Sequence, residues 1–224
     1  MIYGNKEGIR DSLLAKLETL YDIEIPAEVF APAELLDVLA AFTCAINREI
    51  SIYVSRSGEV LDITIGGVSS VELKDMHLRR NTKRLSMVRC IHTHPGGNPQ
   101  LSDVDISSLR AMRFDAMAAV GAKDGHATGI QAAFLGEYVG GMNRVHLTEV
   151  APVYKLPQRA WMDAIERADS EVLIGAPNTT KEDQERAFLV GLDSDESLLE
   201  LARLAETAGA QVIGTMLQRK TRPD

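Results

Sequence analysis

The chain has 224 residues, 45% of them hydrophobic and 25% charged, with a formal net charge of −8. That length suits one large domain or one domain and part of another, and the composition is globular rather than disordered. The acidic balance argues against a general grip on nucleic acid, and no direct sequence-specific nucleic-acid binding is expected.

Ile9, Leu13, Leu14, Leu17, Leu20 and Tyr21 recur at helical spacing and predict an amphipathic first helix, which Pro26 interrupts. A second helix begins near Pro32 and runs through Leu36, Leu39, Phe42 and Ile46. The period then changes: Glu49 to Val54 and Glu59 to Ile65 flank a Ser-Arg-Ser-Gly turn, the signal of a hairpin. A third strand is expected near Ser70 to Leu73, and Met87 to His92 reads as a buried strand. Ser102 to Val120 has helical spacing, with Gly121 as its stop. Ile130 to Val139 and Arg144 to Val153 read as two strands joined by a turn at Gly140-Gly141. A helix is expected over 157–171, then a polar linker over 175–183. The tail gives strand Ala187–Leu192, helix Ser194–Ala208 and strand Gln211–Met216, an order that predicts a βαβ unit with parallel strands.

These elements predict an α/β protein: a mixed β-sheet flanked by helices over 1–155, a helix and polar linker over 156–183, and a βαβ fragment over 184–224. Two parallel strands make a poor domain alone, so the tail reads as the opening of a further domain in a longer protein. Its unfinished strands leave an edge for a second copy to pair with, so homo-oligomerisation is left open.

Cys44 and Cys90 lie in apolar runs and read as buried free thiols. The first residues carry no basic-then-apolar signal pattern, and no stretch approaches the ~18 continuous apolar residues of a membrane span. A cytoplasmic location without a membrane partner is expected. The basic stretch Leu78 to Arg84 reads as a solvated loop or a local patch.

The chemistry-bearing stretch is His-Thr-His-Pro-Gly-Gly-Asn-Pro-Gln-Leu-Ser-Asp-Val-Asp, residues 92–105. Residues two apart on a strand point the same way, so His92 and His94 share a face. Asp105, one turn into the following helix, is the candidate third ligand. Two imidazoles and one carboxylate leave a tetrahedral zinc ion one open position, the layout of a catalytic site. The same donors also suit non-haem iron. Ser102-x-x-Asp105 is equally a capping box. His126 and His146 have no partner at ligand spacing, and His77 lies in a loop. The paired glycines read as turns, with no phosphate-cradling loop among them.

His92-x-His94, seven residues, then Ser102-x-x-Asp105 resembles the signature of the JAMM (MPN+) zinc metallopeptidases and their RadC-like relatives. That resemblance implies zinc bound by His92, His94 and Asp105, with Ser102 hydrogen-bonding a tetrahedral oxyanion. It also implies an upstream glutamate as general acid/base. Glu49, 43 residues before His92 and just ahead of an apolar strand, fits that place better than Glu59 or Glu72. The activity implied is hydrolysis of a peptide or isopeptide bond.

The tail carries a second resemblance. Glu185-Arg-Ala-Phe-Leu-Val-Gly-Leu, Leu201-Ala-Arg-Leu-Ala-Glu-Thr-Ala-Gly-Ala, Val212-Ile-Gly-Thr and the closing Gln218 to Asp224 resemble the opening of HflX-type ribosome-associated GTPases. This implies that 184–224 begins an HflX-type N-terminal domain and that the ribosome, through its large subunit, is the longer protein's partner. GTP and Mg2+ would bind only through a downstream domain. The alternative to a peptidase is then a non-catalytic ribosome-binding or regulatory module with a structural or vestigial metal site.

Overall fold

A computed structural model of the chain describes residues 1–66, 84–174, 186–191, 194–207 and 210–218. The expected third strand, Glu72, His77, the basic stretch apart from Arg84, and the 175–183 linker lie outside the described residues. The chain divides into two units, Met1–Ala176 and Pro177–Asp224.

The first unit is a mixed sheet with helices on both faces. Its strands are β1 (Tyr3–Gly4), β2 (Ile50–Ser55), β3 (Val60–Ile65), β4 (Val88–Pro95), β5 (Ala116–Lys123), β6 (His126–Val139) and β7 (Met142–Leu147). Among the described residues their order is β1-β3-β2-β4-β5-β6-β7. The β1–β3 and β4–β5 pairs are parallel and the others antiparallel. The predicted hairpin is β2–β3, closed by Ser55 N–H donating to the Glu59 carbonyl.

Among the described residues four α-helices belong to this unit: α1 (Asp11–Glu18), α2 (Ala33–Ile46), α3 (Asp103–Met112) and α4 (Gln158–Glu171). Helix α2 starts after Pro32, whose extended backbone directs the chain into the first turn, and ends at Asn47, left-handed at φ 50°. It buries Leu35, Leu36, Leu39 and Ala40 against the sheet. One hydrogen bond fixes which strand positions face it: Thr43 Oγ1 lies 2.5 Å from Thr93 Oγ1. Odd-numbered β4 residues therefore face α2, and even-numbered ones, His92 and His94 among them, face the other side.

Helix α4 also belongs to the first unit, which runs to Ala176 rather than ending near 155. Its Trp161, Ile165 and Ala168 are buried in the core. Trp161 meets the Phe30 ring edge-on at 5.0 Å and Phe134 at 6.4 Å. Gln158 ties the helix start to the Phe30–Ala31 backbone, accepting both N–H groups and donating to the Ala31 carbonyl.

On the α2 side of β4 the core encloses a charge. Arg89, 1% exposed, donates to the backbone carbonyls of Phe30, Ser55 and Val29 at 3.0, 3.1 and 3.3 Å. Burial pushes its guanidinium pKa down to about 10, with Asp115 opposing. Three carbonyls thus solvate the cation in place of water, and the loop before α2 is fastened to the end of β2.

The helix expected over 102–120 is corrected. Helix α3 stops at Met112, Arg113 turns left-handed at φ 52°, and Ala116–Lys123 is strand β5. The run Ala-Met-Ala-Ala-Val-Gly-Ala is apolar at every position, so its periodicity cannot separate a helix from a strand buried on both faces. Gly121 is no helix stop. A Cβ there would meet Thr128 Oγ1 at 2.3 Å and the Gly97 carbonyl oxygen at 2.4 Å, so the turn after His94 packs onto bare backbone.

The second unit has strands β8 (Arg186–Gly191) and β9 (Gln211–Leu217) with helix α5 (Asp195–Thr207) between them. The two strands pair in parallel, as the βαβ order requires. Among the described residues, no helix is long and apolar enough to cross a membrane.

Candidate metal centre

The β4–α3–β5 crossover places the His92–Asp105 stretch where parallel strand β4 ends and α3 begins, a usual position for a site in a parallel unit. Strand β4 is buried from Val88 to Thr93, which sets both imidazoles on a rigid element. His92 is fully buried and His94 partly exposed.

The two His Nε2 atoms lie 2.9 Å apart. Asp105 Oδ1 is 3.2 Å from His92 Nε2, and Asp105 Oδ2 is 3.7 Å from His94 Nε2. Metal–ligand bonds of about 2.0–2.2 Å at tetrahedral angles separate donor atoms by roughly 3.4 Å. The observed gaps bracket that separation, and one donor atom from each residue falls within 4.8 Å of the others. The residues fit a metal ion.

The capping box forms too. Ser102 Oγ accepts the Asp105 N–H at 3.3 Å, while Ser102 N–H and Ser102 Oγ–H both donate to Asp105 Oδ2 at 2.7 Å. Oδ1 faces His92, while Oδ2 closes the helix start and lies nearer His94. Burial pushes the Asp105 carboxyl up, but the hydrogen bond and charge of His92, with the two Ser102 donors, outweigh it. The net effect holds Asp105 below the ordinary carboxylate range, so it stays an anion suited to a cation.

Around the ligands the shell is partly filled. His94 Nδ1 lies 3.1 Å from the Asn98 carbonyl oxygen, which sets its Nε2 toward the site when Nδ1 carries the proton. His92 Nδ1 is buried with no partner among the described residues, as is Ser51 Oγ. Ser51 pairs with His92 across the β2–β4 ladder, so the two side chains share a face.

Glu49 stands immediately before β2, two residues ahead of Ser51, the residue that pairs with His92. It is half-buried, its carbonyl accepts the Gly66 N–H, and its carboxylate makes no ion pair with the described residues. The fold thus brings His92, His94 and Asp105 together and joins Ser102 to Asp105, while Glu49 stands at the head of the strand that pairs with β4. Sequence spacing left His146 without a partner; the fold supplies two, Glu137 and Glu171. Compared with protein families, curated proteins and solved structures, the chain matches none.

Proposed function

We propose that the first unit is a zinc-dependent hydrolase of the JAMM type, acting on a peptide or isopeptide bond in a protein substrate. The observation that carries this reading is the convergence of His92 Nε2, His94 Nε2 and the Asp105 carboxylate at the end of β4. Zinc held there would supply a water of lowered pKa and polarise an amide carbonyl. His92 is fixed by burial, His94 by the turn through Asn98, and Asp105 by its cap, so little ordering remains for binding to cost. Glu49, half-buried at the head of β2 and free of ion pairs with the described residues, is the group to take a proton from water and pass it to the leaving amine. Ser102 reaches an oxyanion only by turning its hydroxyl away from Asp105 Oδ2.

The test compares metal content and hydrolysis of isopeptide-linked and peptide substrates. Wild-type protein should hold zinc at this site, His94→Ala should lose it, and Glu49→Gln should keep zinc while losing hydrolysis. Equal zinc in wild type and His94→Ala would sink the metal assignment, and full hydrolysis by Glu49→Gln would remove that residue from its role.

For the tail, the parallel β8–α5–β9 unit supports the reading of 184–224 as the start of an HflX-type domain. The longer protein would then engage the ribosomal large subunit, with GTP and Mg2+ bound downstream. One observation favours a non-catalytic role for the metal: both Ser102 donors are already engaged by Asp105. In that case the ion fastens the β4–α3 joint, and ribosome co-sedimentation of the longer protein is unchanged by ligand substitutions.

A further inference from the structure

We propose that Glu137, His146 and Glu171 form a second divalent-cation site, independent of the first. His146 pairs with Phe134, which packs on Trp161 of α4, so the group lies on the α4 face of the sheet, opposite His92 and His94. His146 Nε2 is 3.5 Å from Glu171 Oε2 and 4.0 Å from Glu137 Oε2. Direct charge-assisted hydrogen bonds close to about 2.7–2.9 Å. These gaps are instead those that an ion with bonds of about 2.0–2.2 Å spans.

Three features build the site. The β6–β7 register slips between Leu135 and Tyr138, and this bulge re-aims Glu137 beside the imidazole. The bulge is pinned by buried Asn143, whose Nδ2 donates to the Gly136 carbonyl at 2.8 Å and whose Oδ1 accepts from Arg113. At the floor, a Cβ on Gly136 would stand 2.4 Å from His146 Nε2 and 3.4 Å from Glu171 Oε2. The missing side chain is the space in which the donor atoms meet. Arg144 holds the other oxygen of Glu137 at 3.1 Å and so turns Oε2 toward His146.

Two carboxylates against one arginine leave a net negative charge beside the imidazole. One nitrogen and two oxygen donors suit a borderline first-row ion such as Zn2+ better than Ca2+ or Mg2+. Water would complete its coordination. Such an ion would clip the last turn of α4 to the sheet edge, where Tyr138 N–H already donates to the Ile174 carbonyl.

The test is a zinc titration of the full chain carrying His94→Ala, which removes the first site whether or not that site is catalytic. One zinc equivalent should remain and raise Tm. Adding His146→Ala should abolish both effects, and adding Glu171→Gln should weaken binding by at least about tenfold. His146 is 57% exposed, so its replacement leaves the core intact. No zinc uptake by the His94→Ala chain, or equal uptake with and without His146, overturns the proposal.

Discussion

Asp105 is the N3 partner of the Ser102 capping box and, in the proposed site, a metal ligand, and two substitutions separate those roles. Asp105→Ala removes the acceptor for Ser102 N–H and Oγ–H, both at 2.7 Å, and leaves a helix-start donor without its partner. A cap is worth about 0.5–2 kcal/mol and a hydrogen bond to a charged acceptor about 1.5–3, and because these overlap the expected loss is about 2–3 kcal/mol. Asp105→Asn keeps an oxygen for Ser102 and should cost only about 1 kcal/mol. Both should weaken zinc binding at least about tenfold, since the anionic oxygen facing His92 is gone. Urea denaturation with a chelator present reads the cap alone, and competition with a zinc indicator reads the ligand. Wild-type stability of Asp105→Ala in chelator would refute the cap, and wild-type zinc affinity of Asp105→Asn would refute the ligand. The pH dependence has a definite sign. The folded-state pKa is depressed, so the stability Asp105 adds is fully present above its unfolded value of about 3.9. That stability is lost as the pH falls from there through the lower folded value, and Asp105→Asn should flatten this part of the acid-denaturation curve.

Arg89→Met should lower stability by about 1–3 kcal/mol, because the Phe30 and Val29 carbonyls lose the Arg89 donor and the Ser55 carbonyl keeps only the Gly58 N–H; an unchanged urea midpoint would mean that those carbonyls reach water. A chain ending at residue 155 should show no cooperative unfolding, whereas one ending at 176 should melt as a unit, since Trp161, Ile165 and Ala168 complete the core. Scanning calorimetry of the two fragments decides this, and equal transitions would show α4 to be dispensable. Ser51→Ala should change stability by less than about 1 kcal/mol, because its buried hydroxyl has no partner among the described residues. A loss above about 2 kcal/mol in urea melts would reveal a bridge from Ser51, most simply a water to His92 Nδ1.

The first candidate metal cluster was legible because all three residues fall within one strand, turn and helix start, where local geometry alone puts them together. Glu49 was singled out by its place before an apolar strand, and the structure puts it just ahead of β2. The hairpin, the tail unit and α2 followed from periodicity and turn residues. The second cluster left no such trace. Glu137, His146 and Glu171 stand on three elements, and a bulge rather than regular alternation brings Glu137 to the others. Strand β5 was misread because alanine favours helix wherever no tertiary partner intervenes. The boundary near 155 was misplaced because the core contacts of α4 span more than a hundred positions, such as Gln158 with Phe30.

Strand β5 also bears on how the fold assembles. Its alanines and glycine have weak strand preference, and the segment alone leans toward helix. Extended backbone there is stabilised only by the ladders to β4 and β6, which lie on either side. The crossover through α3 and the β6–β7 hairpin therefore both hold β5 extended. Assembly of the middle of the sheet is coupled to the site, because the turn that follows His94 has its bare-backbone seat at Gly121 only when β5 is docked.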